Sequence, residues 1–145
     1  MEQKKGLDRK CIPCSGAQVC FDSSEKIPKL SSEEIQQYLK ETPEWEFVEA
    51  STEFGIDKPH IRRQWKVKNF NSGLQFFNAI GKCADENSHH PDIHLVGYQT
   101  ATVNLWTFSV AGVTINDFIL AKKIDALPVE LSKHHKSKIS SSGTT

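Results

Sequence analysis

The sequence has no excess of either charge and no long apolar segment. Eighteen Lys and Arg residues balance eighteen Asp and Glu residues, so the formal net charge is zero. A neutral chain lacks the strong positive field that attracts nucleic acid or an anionic membrane. No apolar run approaches the roughly 18 residues that cross a bilayer, and the start MEQKKGLDRK lacks the apolar stretch of a secretory signal. We expect an intracellular protein, in the cytoplasm or alternatively in a mitochondrion, plastid or nucleus, without a membrane or direct nucleic-acid partner.

Cysteine is also scarce, with four residues in the chain. Cys11 and Cys14 form one C-x-x-C pair, Cys20 follows shortly after, and Cys83 lies far away. Structural zinc usually requires a second pair of ligands, and a redox pair usually lies beside a βαβ pattern, neither of which this sequence contains. We favour reduced thiols in a flexible arm, with a metal site completed by Cys20, or a redox pair, as alternatives.

The length of 145 residues favours one domain flanked by two less regular ends. Residues 1–28 show no sustained period and are interpreted as an N-terminal extension that carries the C-x-x-C pair. The tail, residues 128–145, ends in SKHHKSKISSSGTT, which has a single large apolar residue. Such a segment cannot bury enough apolar surface to offset the entropy of ordering, so we expect disorder. The domain itself is placed at residues 29–127.

Within this domain, helical and strand periods alternate. Apolar spacing predicts helices at 31–42, 70–86 and 114–125, and alternation predicts strands at 45–50, 60–68, 92–98 and 101–110. Ser31 stands three residues before Glu34, and Thr114 three residues before Asp117, both capping-box arrangements. Hairpin pairs separated by helices predict an α+β fold, a four-stranded antiparallel sheet with helices packed on one face.

Three of the six histidines fall within six positions, in the segment DENSHHPDIHLVGY. A metal site is one interpretation of His89, His90 and His94. Neighbouring residues of a strand point to opposite faces, so His89 and His90 do not easily share an ion. Pro91 interrupts any helix that would bring a histidine pair onto one face. We therefore expect no metal here.

The same segment marks the junction between a helix and a strand. The residue before a proline is disfavoured in the helical region, so His90 is extended and the helix ends before it. Asp85, His89 and His90 consequently lie at the rim of the sheet, where a rigid scaffold often holds binding residues. From spacing alone, a structural polar turn and a catalytic or binding site both remain open.

The wider pattern resembles a known family. The arrangement D85-x3-H89-H90-P91-x6-Y98, followed by F108-x8-D117, is similar to the pattern of the pterin-4a-carbinolamine dehydratases, over about residues 30–126. HHPDIHLVGY, GVTINDFILAKKID and RKCIPC are similar to the plant and protist branch of that family. The resemblance implies dehydration of a 4a-hydroxytetrahydropterin to a quinonoid dihydropterin, in the recycling of pterin cofactor. It also implies a homodimer or homotetramer, with no bound cofactor and no metal.

The resemblance also implies site residues. His89 is expected to donate a proton to the leaving hydroxyl, and His90 to contact the substrate and accept a proton. Asp85, one helical turn before His89, is expected to hold the His89 ring by a charge-assisted hydrogen bond. Imidazole suits both proton transfers because it titrates near neutral pH.

Substrate-binding positions carried over from the resemblance are Phe108, Trp106, Pro91 and Tyr98. Phe108 departs from the family pattern, which has His or Trp there, and phenylalanine transfers no proton. Trp106 lies two residues earlier, on the same face of the predicted strand. From the residues alone, Trp106 is a core residue, Tyr98 packs at a hairpin turn, and Asp117 is a capping acid.

Two functions follow from these observations. The favoured one is a pterin dehydratase, a hydro-lyase supported by the intact Asp85, His89 and His90. The alternative is a non-catalytic scaffold or dimerisation cofactor on the same fold, which Phe108 favours because the third imidazole is missing.

Overall fold

The fold is given by a computed structural model that describes residues 7, 27–51 and 53–136. In chain order the elements are α1 (Ser32–Glu41), β1 (Glu46–Val48), β2 (His60–Lys66), α2 (Phe70–Asn87), β3 (Asp92–Val96), β4 (Thr100–Leu105) and α3 (Ile115–Asp125). Two 3-10 turns, Glu53–Gly55 and Phe108–Val110, lie in the loops. The predicted α+β order of helices and strands is confirmed.

The helices begin where the capping residues predict. Ser31 and Glu34 form a capping box at α1, and Thr114 and Asp117 form a second one at α3, so both predicted caps are confirmed. The helix α2 begins after Asn69, whose side chain accepts the Ser72 backbone N–H. In each case a side-chain oxygen satisfies a backbone donor that the first helical turn leaves unpaired.

The sheet has four antiparallel strands in the order β1-β2-β4-β3, so the central strands are β2 and β4. Its helix-facing side carries buried apolar residues, including Ile61 opposite Leu105 and Trp65 opposite Ala101. Trp65 makes edge-on ring contacts with Trp45 and with Phe76 of α2. Burial of these side chains supplies the main driving force for packing the helices on this face.

The opposite side of the sheet is polar. Arg62 of β2 is paired with Asn104 of β4, which is paired in turn with Asp92 of β3. His94 lies two residues further along β3, opposite Thr102. Because side chains alternate across a strand, these residues share the face that the helices do not cover. The functional side chains described below lie along this face and at its rim.

The strand β4 ends earlier than predicted. It stops at Leu105, and Phe108 begins a 3-10 turn, so the prediction that Trp106 and Phe108 share one strand face is wrong. Thr107 and Gly112 exchange backbone hydrogen bonds of 2.7 and 3.4 Å, which close the loop. Ala111 takes the left-handed conformation (φ 49°) that completes this turn. The local hydrogen bonds replace the sheet ladder that an extended strand would have continued.

The chain after α3 returns to the sheet. Leu131 forms an isolated bridge with Val67, the Lys68 N–H donates to the Glu130 carbonyl (3.0 Å), and the Ser132 N–H donates to that of Lys66 (2.8 Å). The first residues of the predicted tail therefore contact β2 and the residues that follow it. Residues 137–145 lie outside the described part of the chain.

The predicted N-terminal cysteine cluster, Cys11, Cys14 and Cys20, also lies outside the described residues. Cys83 is buried in α2, and this burial raises the pKa of its thiol.

Candidate active site

Two histidine–carboxylate pairs lie at the end of α2. In the first pair, the Nε2–H of His89 donates to the Asp117 carboxylate, at 2.6 Å between Nε2 and Oδ1. Both side chains are buried, with exposed fractions of 4% and 0%. In the second pair, His90 Nε2 lies 2.9 Å from Asp85 Oδ1, and these side chains are 65% and 80% exposed. The two adjacent imidazoles therefore lie in very different environments.

The end of α2 explains why the two rings diverge. Ser88 takes the left-handed conformation (φ 51°, ψ 36°) and closes the helix. The His89 N–H still donates to the Ala84 carbonyl, at 3.2 Å, which holds the first residue after the cap against the helix. His90 precedes Pro91 and leaves towards β3, so His89 turns inward while His90 turns to solvent.

The predicted partner of His89 is wrong. Asp85 was expected to hold the His89 ring, but it accepts the hydrogen bond of His90. Asp117 fills the predicted place of Asp85 from α3, 28 residues away in sequence. Its predicted capping role is confirmed, and the contact with His89 is an additional role that the local sequence does not reveal.

Asp117 holds several groups at once. Besides His89, its carboxylate accepts the Thr114 backbone N–H at 2.9 Å and the Thr107 hydroxyl at 2.9 Å. The Thr107 hydroxyl also lies 2.7 Å from that of Thr114. This buried carboxylate thus links the end of α2, the loop after β4 and the start of α3.

A cavity of about 620 Å³ opens on the polar side of the sheet, near the rim. Its walls come from three parts of the chain: the loop before β2, the start of β3 and the loop after β4. The lining includes Pro91, Trp106 and Phe108, three of the four predicted substrate-binding residues. Tyr98, the fourth, is 60% exposed in the β3–β4 turn and is not among the described residues that line the cavity.

Trp106 and Phe108 form one apolar corner of this cavity. Their ring centroids are 5.7 Å apart, and the Trp106 indole N–H donates to Asp92 Oδ2 at 3.0 Å. Trp106 is half-buried and not in the main core, in contrast to the interpretation from the residues alone. Phe108 is 85% exposed, a large apolar surface that a flat ring could cover.

Comparisons with known proteins agree with this geometry. The family model described as pterin 4 alpha carbinolamine dehydratase matches residues 28–127. The chain belongs to the pterin-4a-carbinolamine dehydratase family. The mitochondrial pterin-4-alpha-carbinolamine dehydratase 2 of Arabidopsis thaliana is 34% identical over 122 residues, which are 84% of this chain and 58% of the relative. A putative dehydratase of the family from Rubrobacter xylanophilus is 33% identical, over 83% of this chain and 95% of the relative.

A solved structure of the family is also similar. The crystal structure of a transcriptional coactivator/pterin dehydratase from Brucella melitensis has a TM-score of 0.59 and 27% identity. The match covers 68% of this chain and 97% of that chain, so nearly the whole of that fold is present here. Within the described part of this family member, no helix is long and apolar enough to cross a membrane.

The cavity has a second wall that the sequence did not reveal. Phe54, in the Glu53–Gly55 turn, stacks on His94 of β3 with the ring centroids 4.2 Å apart. The guanidinium of Arg62 lies 5.4 Å from the centroid of the Phe54 ring, and Arg62 also pairs with Glu53 at 3.1 Å. Phe54 has a left-handed backbone (φ 62°), so it lies outside any regular helix or strand. Hydrophobic periodicity therefore does not predict its place in this wall.

A buried histidine supports this second wall from behind. The Nδ1–H of His60 donates to the Lys58 carbonyl at 2.7 Å, which leaves Nε2 facing Arg62 Nη2 at 3.4 Å. Burial lowers the pKa of His60, and the nearby Arg62 charge lowers it further. The neutral imidazole can therefore accept from the guanidinium, while Arg62 Nε donates to Asn104 at 2.9 Å.

A metal site needs a group of ligating side chains close together. In residues 7, 27–51 and 53–136, no three His, Cys, Asp or Glu side chains come together in such a group.

Proposed function

We propose that this protein dehydrates a 4a-hydroxytetrahydropterin to the quinonoid dihydropterin. The observation that carries the proposal is the cavity of about 620 Å³ walled by Pro91, Trp106 and Phe108, next in sequence to the His90–Asp85 pair. A cavity of several hundred Å³ suits a small flat ligand. The relatives' names supply the reaction, and the aromatic corner supplies a surface for the pterin ring.

The reaction needs two proton transfers, one at the hydroxyl on C4a and one at the neighbouring N5. The C4a–O bond breaks and the hydroxyl leaves as water after it takes a proton from an acid. The N5–H bond breaks, its electron pair forms the C4a=N5 double bond, and a base takes the proton. No oxidant or reductant is consumed. A correctly placed acid or base contributes roughly 10²- to 10⁴-fold to such a step.

We assign the acid to His90. His90 does not itself line the cavity, but its side chain is 65% exposed and the next residue, Pro91, does line it. Asp85 accepts the Nε2–H of this ring and so fixes its orientation. His89 was expected to be the donor, but its ring is 4% exposed and bonded to Asp117. We therefore propose that His89 positions the chain from which His90 extends.

Stopped-flow absorbance tests the assignment. Chemically generated 4a-hydroxytetrahydropterin should lose water much faster with the wild-type protein than in buffer. His90→Gln should lower kcat by about 10²-fold because the amide keeps a hydrogen bond but transfers no proton. His89→Gln should act mainly through stability, with a smaller effect on kcat once the folded fraction is corrected for.

His134→Gln is the matched control, since it removes an exposed imidazole from the segment after α3 and should retain the wild-type rate. A wild-type rate equal to that of buffer would reject the dehydratase and favour the non-catalytic scaffold. An active wild type with an equally active His90→Gln would reject only the assignment of the acid.

We also propose a homodimer or homotetramer in the cytoplasm. Exposed apolar residues support the oligomer: Phe70 and Leu74 on α2 and Val96 on the edge strand β3 are 52%, 42% and 53% exposed. Light scattering after size-exclusion chromatography measures the mass directly.

The plant relative carries the word mitochondrial in its name, so a mitochondrial location is the alternative, and fluorescence microscopy of a tagged chain distinguishes the two.

A further inference from the structure

The cavity contains an imidazole that the family pattern does not include. His94, in β3 opposite Thr102, lines the same cavity as Phe108, Trp106 and Pro91. It stands four residues after His90, at most about 13 Å away along an extended chain. The two histidines are therefore close enough along the chain to act on one bound ring.

The orientation of the His94 ring is fixed by stacking. Its plane is inclined by 29° to that of Phe54, and the Arg62 guanidinium lies on Phe54 in turn. An imidazole stacked on Phe54 has one face engaged and keeps its two nitrogens for hydrogen bonds in the ring plane.

One of these nitrogens lacks a hydrogen bond. The Nε2 atom of His94 is buried and has no hydrogen-bond partner among the residues that the structure describes. Buried polar atoms are almost always paired, so the unpaired Nε2 leaves this cavity residue with an unmet hydrogen bond.

The chemistry requires a base that Phe108 cannot provide. Phenylalanine stands where the family pattern has His or Trp, and it accepts no proton. Since His90 is assigned as the acid, the base is still to be named, and we propose that His94 is a catalytic residue that accepts the N5 proton of the substrate. This inference rests on the proposed dehydratase function. In each turnover His94 gains the N5 proton while His90 loses one to the departing water, and both then exchange protons with solvent.

Substitution of His94 tests the proposal in the full-length protein. His94→Gln should lower kcat by about 10²-fold with little change in KM, because the amide still stacks and hydrogen-bonds but transfers no proton. The limb of the wild-type pH–rate profile that rises as an imidazole deprotonates should disappear in this variant. His134→Gln, outside the cavity, should keep both the rate and the limb.

Restoring the family residue gives a second, independent test. If His94 replaces the missing imidazole, Phe108→His should raise kcat more in the His94→Gln background than in the wild-type background. Equal gains in the two backgrounds would overturn the proposal because the two sites would then be independent. A rise of KM in His94→Gln with kcat unchanged would also overturn it, since the ring would then only bind.

The proposed function and this inference fail in different ways. A wild-type rate equal to that of buffer rejects both, whereas an active wild type with a fully active His94→Gln rejects the role of His94 alone. If His94→Gln does not fold, nitrogen-15 NMR of the wild-type histidines decides. Addition of 7,8-dihydropterin should shift the His94 ring resonances, and unchanged resonances at saturation would overturn the proposal.

Discussion

At the scale of single residues, the two histidine–carboxylate pairs form a natural comparison. The same two side-chain types, bonded through the same atoms, occur once in the interior and once at the surface. Asp117 accepts three hydrogen bonds in the interior, and Asp85 accepts one in water. Solvent screening makes an exposed pair worth little, whereas the loss of a buried charged partner is costly.

Asp117→Asn should therefore lower the free energy of unfolding by about 3 kcal/mol. The amide would turn a donor towards groups that are themselves donors, His89 or the Thr114 N–H. Urea denaturation followed by circular dichroism measures this change. The matched substitution Asp85→Asn should change the free energy of unfolding by less than about 0.5 kcal/mol. Equal effects of the two substitutions would contradict this account.

At the scale of elements, the segment after α3 behaves as an added edge to the sheet. Leu131 forms a backbone bridge with the fully buried Val67, and two backbone hydrogen bonds join the segment to Lys66 and Lys68. These contacts are few, but each backbone bond contributes roughly 1 kcal/mol when it is sheltered.

Two truncations test this contribution. Removal of residues 128–145 should lower the free energy of unfolding by about 2 kcal/mol because it removes Val129 from the core and breaks both backbone bonds. Removal of residues 137–145 alone should leave stability within about 0.5 kcal/mol of the full chain, as expected for a tail with little apolar surface. Thermal and urea unfolding of both chains measure the difference, and equal losses would contradict the assignment.

The elements also show where sequence reasoning succeeds and where it fails. Capping boxes at Ser31 and Thr114 and the regular apolar periods are local features, so the helices could be predicted to within a few residues. The end of β4 could not, because the bonds between Thr107 and Gly112 depend on a loop closure that no period encodes.

The candidate site depends even more on contacts between distant residues, which the local sequence does not predict. His89 and His90 stand out in the sequence, but the residue that holds His89 comes from 28 positions away. The stacking of Phe54 on His94 joins positions 40 residues apart through a backbone turn with positive φ. Such contacts form only once the sheet is assembled. The sequence pattern of a family can indicate them only where every member makes the same contact.

At the scale of the whole molecule, stability depends on the sum of its titrating groups. Burial lowers the pKa of His60 and of His135 below the ordinary value of 6.5. Arg62, Asp92 and Glu46 are the charges that act on His60. Between the lowered folded pKa and 6.5, the unfolded chain binds more protons than the folded one. The stability that these two histidines contribute is therefore fully present above about pH 6.5 and is lost as the pH falls towards their folded pKa.

His60→Gln should make this dependence shallower. A single histidine contributes at most about 1.4 kcal/mol per pH unit, and the amide that replaces it does not titrate. Urea midpoints at pH 7.5, 6.5 and 5.5 give the slope for each protein. His134→Gln serves as the control and should keep the wild-type slope. An unchanged slope in His60→Gln would show that His60 titrates alike in both states.

The position of Asp117 has a consequence for tracing activity among relatives. Because this carboxylate caps α3 and holds the loop after β4, selection for a folded domain alone is enough to retain it. A relative that has lost catalysis should therefore keep the acid at this position, and also the imidazole bonded to it. The exposed pair has no such second duty and is free to drift once catalysis is no longer selected. Surveys of such domains should accordingly judge activity by the residues equivalent to Asp85 and His90, and not by the buried pair.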